Sequence, residues 1–134
     1  MQWTTVAGAI AVLFWSVPGI IINPDFATGA AASAERVLGV DMNGWHSLSG
    51  FLVAIPALLV ASRPRLAALF SAVAAMSLIA TGVWALLDTQ VAGGLFSFPH
   101  QSSDALLHFA TSTIWLFGAA HYFFVEQYAP ARES

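Results

Sequence analysis

The chain has 134 residues, of which 58% are hydrophobic and 8% are charged, and its formal net charge is -3. Soluble domains carry charge on about a quarter of their residues, so this composition excludes an ordinary soluble domain. The absence of Cys excludes disulfides, thiolate metal sites and cysteine nucleophiles. With four Arg and no Lys, the chain is not expected to bind nucleic acid.

Four long stretches contain no Asp, Glu, Lys or Arg, and they cover residues 3–22, 44–62, 66–87 and 105–125. Each has about 20 residues, the length that a helix needs to cross roughly 30 Å of hydrocarbon. The stretches therefore predict an all-α fold, a four-helix bundle integral to a membrane. We expect one domain, with outer loops at residues 23–43 and 88–104.

The arginines indicate an orientation for these helices. Arg63 and Arg65 lie in the short connection after the second stretch, and Arg132 lies in the tail. Cytoplasmic loops are enriched in basic residues, so we expect this connection and both termini to be cytoplasmic. In the first outer loop, residues 27–38 are rich in alanine and predict a short helix on the membrane surface.

Small and weakly polar residues recur at steps of three and four along each stretch, as in membrane helices that pack closely. We expect these faces to form the interior of the bundle. They comprise Gly8, Val12, Trp15 and Gly19; His46, Ser49, Gly50, Val53 and Ala57; Ser77, Thr81, Trp84 and Asp88, with Ser71, Ala75 and Gly82 on a neighbouring stripe; and Asp104, His108, Thr111, Trp115, Gly118 and Tyr122.

The candidate site is a polar cluster at the outer end of the bundle. Ionisable groups near hydrocarbon are costly, which makes them a functional hypothesis by default. Asp104 and His108 are four residues apart on one helix face, and His46 is expected across the interface. Supporting polar residues are Asn23, Asn43, Asp88 and His100.

Three interpretations of His46, Asp104 and His108 remain open. The cluster could be a structural plug that pins the second and fourth helices by hydrogen bonds. It could instead be a proton or ligand site, with an imidazole that titrates near neutral pH. Two His and one Asp could also ligate zinc, copper or iron, or hold one haem between His46 and His108, although their spacing matches no compact metal motif.

No Ser or Thr has the base and orienting group that nucleophilic catalysis requires, and there is no glycine-rich phosphate loop. We therefore expect no enzymatic activity and no obligatory cofactor. The expected role is that of a structural or accessory component of a membrane complex. Its partners would be the lipid bilayer and either a larger membrane complex or further copies of the chain.

Several short motifs follow one another along the chain: Pro18-Gly19, Asn23-Pro24, Leu38-Gly39, Asn43-Gly44-Trp45-His46 with Gly50, and Asp104-Ala105-Leu106-Leu107-His108. In this order they resemble the bacterial four-helix membrane family catalogued as domain of unknown function 4383, over about residues 5–125. The resemblance implies a multi-pass protein of the bacterial inner membrane, and no activity is carried over from it.

Four residues match the motif positions of that family, namely Asn43, His46, Asp104 and His108. The sequence departs from the family pattern at Gly44-Trp45, where the family is closer to Asn-Pro-Leu-His. It also has Ser49 and Gly50 where the family pattern has a further His, one turn below His46. These departures weaken the case for a centre with several histidine ligands.

Overall fold

Four α-helices make up most of the chain in the computed structural model, which describes residues 2–28, 31–87 and 102–126. The four predicted helices are confirmed. They are α1 (Gln2–Ile22), α2 (Gly44–Val60), α3 (Pro64–Leu87) and α4 (Ser102–Phe124).

The helix ends follow from local sequence. Asn43 precedes α2 with an extended backbone, and its side-chain oxygen accepts a hydrogen bond from the backbone N–H of His46 at 2.9 Å, as an N-cap residue does. Pro64 is the first residue of α3, where its fixed φ suits the helix and its missing N–H costs nothing. The chain therefore reverses direction between α2 and α3 within three residues.

The helices associate mainly as two antiparallel pairs, α1 with α2 and α3 with α4, and α1 also packs on α4. The interior that they share is made of small side chains and one large one. Trp115 is completely buried among alanines of the other helices. The buried alanines of this cluster are Ala9, Ala54, Ala57, Ala74 and Ala75.

Glycines allow the closest helix contacts. A Cβ atom added at Gly8 would collide with the indole ring of Trp115, and one added at Gly50 would collide with the hydroxyl of Ser16. Hydrogen bonds also join α1 to α4 and to α3. The indole N–H of Trp115 donates to the Thr5 carbonyl at 3.1 Å, and the Thr5 and Ser71 hydroxyls lie 3.1 Å apart. The interior is thus fixed by close packing and a few hydrogen bonds.

About half of the predicted interior positions that the structure describes are buried, including His46, Ala57, Thr111 and Trp115, and most of the others are partly buried. On α3 the neighbouring stripe, which contains Ser71, Ala75 and Gly82, is the buried one, whereas Ser77 and Trp84 are exposed. The reason is that α3 packs chiefly on α4, where Phe109 lies directly against Gly82.

The predicted surface helix at residues 27–38 is wrong. The segment instead leads into an antiparallel hairpin of β1 (Glu35–Val37) and β2 (Val40–Met42), with Val37 opposite Val40. Leu38 and Gly39 have φ of 52° and 88°, so both residues of the two-residue turn are left-handed, as tight hairpins require. Alternating Val37, Val40 and Met42 bury one face of the hairpin, which stabilises it over a helix.

Large apolar side chains face outward on every helix. Two helices, α1 and α3, are long and apolar enough to cross a membrane, each with a mean hydropathy of 2.1 over its most apolar stretch. The other two fall short for different reasons, since α2 has only 17 residues and α4 carries His108, His121 and several hydroxyls.

Candidate functional site

A cavity of about 240 Å³ lies among the four helices, towards the end of the bundle that the hairpin covers. Apolar side chains form most of its wall, and the two histidines His46 and His108 are the ionisable residues among the described lining residues. Every helix contributes to the wall, for example Trp15 from α1, Val53 from α2 and Leu78 from α3.

His46 is held in one orientation by the residues just before it. It is buried in the first turn of α2, where the Asn43 cap fixes its backbone. Its Nδ1 atom lies 3.0 Å from the backbone oxygen of Asp41. A carbonyl oxygen can only accept, so Nδ1 carries the proton and donates this bond. The hairpin therefore fixes the ring position and keeps a proton on Nδ1.

His108 lies across the interface on α4, in the second turn. Its imidazole ring stacks with that of His46, with ring centroids 6.0 Å apart and ring planes inclined by 29°. Both side chains are part of the cavity wall. The fold thus brings together two histidines that are more than sixty residues apart in the sequence.

Asp104 is fully buried one turn before His108, on the same face of α4. The hydroxyl of Ser103 lies 3.4 Å from its Oδ1 atom. Asp104 is not part of the cavity wall. Among residues 2–28, 31–87 and 102–126, no group of three or more His, Asp or Glu side chains is arranged to hold a metal ion.

The supporting asparagines have structural partners. The Asn23 amide donates to the Met42 carbonyl at 3.1 Å and so ties the end of α1 to the hairpin.

Near Asn23 in the sequence, the Asp25 carboxylate accepts hydrogen bonds from the Ser33 hydroxyl and from the backbone N–H groups of Ser33 and Ala27. The Ser33 hydroxyl contributes most, and together these bonds hold the pKa of Asp25 below its ordinary value. Asp88 and His100 lie outside the described residues.

Most of the cavity-lining residues were not predicted as site residues, and three of them are large side chains close to the histidines in the same wall. Met42 was expected in a loop, and Trp15 and Trp84 were expected only as packing or interfacial residues, yet all three line the cavity. The indole N–H of Trp15 is also buried and has no hydrogen-bond partner among the described residues. A Trp on the predicted inner face at the level of the polar cluster was the available signal.

The sequence matches a known protein family over most of its length. The family model described as Domain of unknown function (DUF4383) matches residues 2–121. This range is most of the chain and contains α1, α2, α3 and all but the last three residues of α4. No curated protein and no solved structure matches the chain. The resemblance that the motifs indicated is thereby confirmed: the chain belongs to the family Domain of unknown function (DUF4383).

Proposed function

We propose that the protein is a multi-pass protein of the bacterial inner membrane that binds a small, uncharged, largely apolar molecule between its four helices. The observation that carries this proposal is the cavity of about 240 Å³ beside the stacked imidazoles of His46 and His108.

The distribution of side-chain sizes supports a membrane environment. Alanine, glycine and hydroxyl residues fill the interior. The large side chains Leu59, Val73, Phe117 and Phe124 are instead each about two-thirds exposed or more. A soluble protein buries its large apolar side chains, because water drives them inward. Lipid exerts no such force, and membrane helices instead place small residues where they touch.

The helix lengths are consistent with four crossings. At 1.5 Å per residue, the 21, 24 and 23 residues of α1, α3 and α4 each span about 30 Å or more. The 17 residues of α2 span about 25 Å, a mismatch that a bilayer accommodates by local thinning or by the flanking residues. Helix α2 would be the shortest of four spans.

The charged residues support an orientation with both termini in the cytoplasm. Arg63 and Arg65 are exposed at the turn between α2 and α3, whereas Asp25, Glu35 and Asp41 lie at the opposite end. Basic residues favour the cytoplasmic side.

Single cysteines test this topology cleanly because the chain has no Cys of its own. In intact cells, an impermeant maleimide is expected to label Ala34→Cys, which is exposed before the hairpin. It should label Ser62→Cys, at the α2–α3 turn, only after the membrane is permeabilised. The reverse pattern would contradict the orientation, and equal labelling of both in a soluble fraction would contradict the membrane assignment.

The cavity limits the size and charge of its ligand. It is larger than an apolar cavity of about 150 Å³ that accommodates benzene and smaller than the roughly 300 Å³ at which pockets for drug-sized ligands begin. The described lining residues include no Asp, Glu, Lys or Arg that could pair with a charged ligand. A neutral molecule of one or two rings fits both limits.

The histidine pair would orient a polar group of that molecule. Because Nδ1 of His46 donates to Asp41, the Nε2 atom of the neutral ring would accept a hydrogen bond from a hydroxyl of the ligand. The bond from His46 to the Asp41 carbonyl holds the ring in place before the ligand arrives, which reduces the entropic cost of binding. The buried N–H of Trp15 is a further donor in the same wall.

Binding of 4-fluorophenol, a neutral single ring with one hydroxyl, tests the proposal in purified protein by ¹⁹F NMR. We expect a shifted, saturable signal with the natural chain and its loss in Ala74→Phe, because Ala74 lines the cavity and phenylalanine would fill it. Ala80→Phe, on the exposed side of the same helix, is the matched control and should bind normally. Loss in both variants, or binding unaffected in both, would contradict the proposal.

A second candidate function is a structural or accessory role within a membrane complex. The observation that favours it is that the polar groups around His46 already serve the fold, through the Asn43 cap and the bond to Asp41. In that case, His108→Ala would lower thermal stability in detergent while the ¹⁹F titration of the natural chain showed no saturable site. A larger membrane protein, or further copies of the chain, would then co-purify.

A further inference from the structure

We infer that the cavity is filled from the lipid bilayer, through a lateral opening between α2 and α3, so that its ligand is a molecule dissolved in the membrane. This inference rests on the proposed function and adds to it the source of the ligand. It is supported by which cavity-lining residues are buried under the hairpin and which are exposed.

The end of the cavity that faces the hairpin is covered. Val37, Val40 and Met42 are almost completely buried and form an apolar cluster against Trp15 and Leu107. Trp15, Met42 and Leu107 are also cavity-lining residues, so the hairpin packs directly on the wall. The described contacts of the hairpin with the helices are chiefly to α1 and α4, and it lies on that side of the bundle.

The opposite side is where the wall is exposed. Of the described residues that line the cavity, the exposed ones are Ser77 and Trp84, both on α3, and Trp84 is 49% exposed. The α2 residues Ser49 and Val53, which line the same cavity, are partly buried. Helices α2 and α3 have few contacts with each other compared with the α1–α2 and α3–α4 pairs. The exposed part of the wall therefore lies beside the pair of neighbouring helices that pack less closely.

The chemistry of this opening suits hydrocarbon. The hydroxyl of Thr81 donates to the Ser77 carbonyl of its own helix at 2.9 Å, and that of Ser49 donates to the His46 carbonyl at 2.7 Å. A hydroxyl that donates to its own helix exposes no unsatisfied donor to lipid. An uncharged apolar molecule could therefore pass these two hydroxyls without breaking their hydrogen bonds, whereas a charged one would lose its solvation.

Thiol labelling in proteoliposomes of the full chain tests this route. Thr111→Cys places a single thiol on the buried α4 wall of the cavity, and Ser49→Cys is a second site should the first variant be unstable. Two reagents are compared: N-phenylmaleimide, which is uncharged and partitions into bilayers, and sulfonatoethyl methanethiosulfonate, which is charged and stays in water. We expect labelling by the first reagent and protection from the second.

A bulky side chain at the rim provides the decisive comparison. Ser77→Trp, added to the cysteine variant, is expected to abolish labelling by N-phenylmaleimide, whereas Ala80→Trp on the same helix should leave it unchanged. If the charged reagent labels the thiol and Ser77→Trp does not change that labelling, lateral entry is overturned. Ligand binding in the cavity would still stand. A thiol that reacts with neither reagent until the protein is unfolded in SDS would overturn both, because the cavity would then be closed.

Discussion

Replacing Trp115 with alanine is expected to lower the free energy of unfolding by about 3 kcal/mol or more, the range measured for large aromatic side chains removed from cores. Trp115 is completely buried, its ring lies against Gly8, and its ring centroid is 6.2 Å from that of Phe70 in an edge-on contact. The surrounding alanines are too small to close the space. The loss would also leave the Thr5 carbonyl without its indole donor.

The measurement is reversible unfolding in mixed detergent micelles, followed by circular dichroism. Trp3→Ala is the control, because Trp3 is 84% exposed on the same bundle and its loss should change stability by about 0.5 kcal/mol or less. Equal effects of the two substitutions would mean that Trp115 does not hold the helices together as described.

The second large effect is expected at the crossing of α1 and α2. Gly50→Ala should destabilise the protein by about 1–3 kcal/mol, the usual cost of overpacking a close contact. The added methyl group would collide with the Ser16 hydroxyl and lie 3.0 Å from the Ser16 Cβ atom, which belongs to a buried side chain. Because Ser16 is fixed on its own helix, the two backbones would have to separate.

A compensating pair distinguishes this collision from a general effect of substitution. The double variant Ser16→Gly with Gly50→Ala moves the side chain from one helix to the other and should recover most of the lost stability. Ser16→Gly alone should be mildly destabilising, since glycine costs about 1 kcal/mol in a helix. Simple addition of the two single losses in thermal unfolding would show that these residues do not meet.

The four helices could be predicted from the sequence because their signal is local. Long runs without charge and turn residues such as Pro64 mark each helix by composition alone. The polar faces were also visible, since small residues recur at helical spacing. Pairing His46 with His108 needed only the assumption that both helices begin at the same end of an antiparallel bundle.

The hairpin was not predicted because its turn places a leucine in a backbone conformation that leucine rarely adopts. Leucine rarely adopts a positive φ, yet Leu38 has φ of 52° and is followed by Gly39 at 88°. The alternation of Val37, Val40 and Met42 was the available strand signal, but the alanines before it favoured a helix. What decided the outcome was tertiary packing of those three side chains on Trp15 and Leu107.

The cavity could not be predicted at all. A cavity is the space that side chains leave unfilled. Its volume depends on the distances between the helices, which no sequence pattern predicts. Here glycines bring α1 close to α2 and α3 close to α4, while α2 and α3 pack less closely on each other. The same small residues that stabilise the pairs therefore leave the space between them.

The central claim, that a small neutral molecule occupies the space beside the two imidazoles, is tested most directly by intermolecular NOEs between 4-fluorophenol and selectively labelled histidine in the purified protein. We predict NOEs from the phenol ring to the carbon-bound ring protons of both His46 and His108, and their disappearance in Ala74→Phe. NOEs confined to outward-facing residues such as Leu59 or Phe117, with none to either histidine, would contradict the claim.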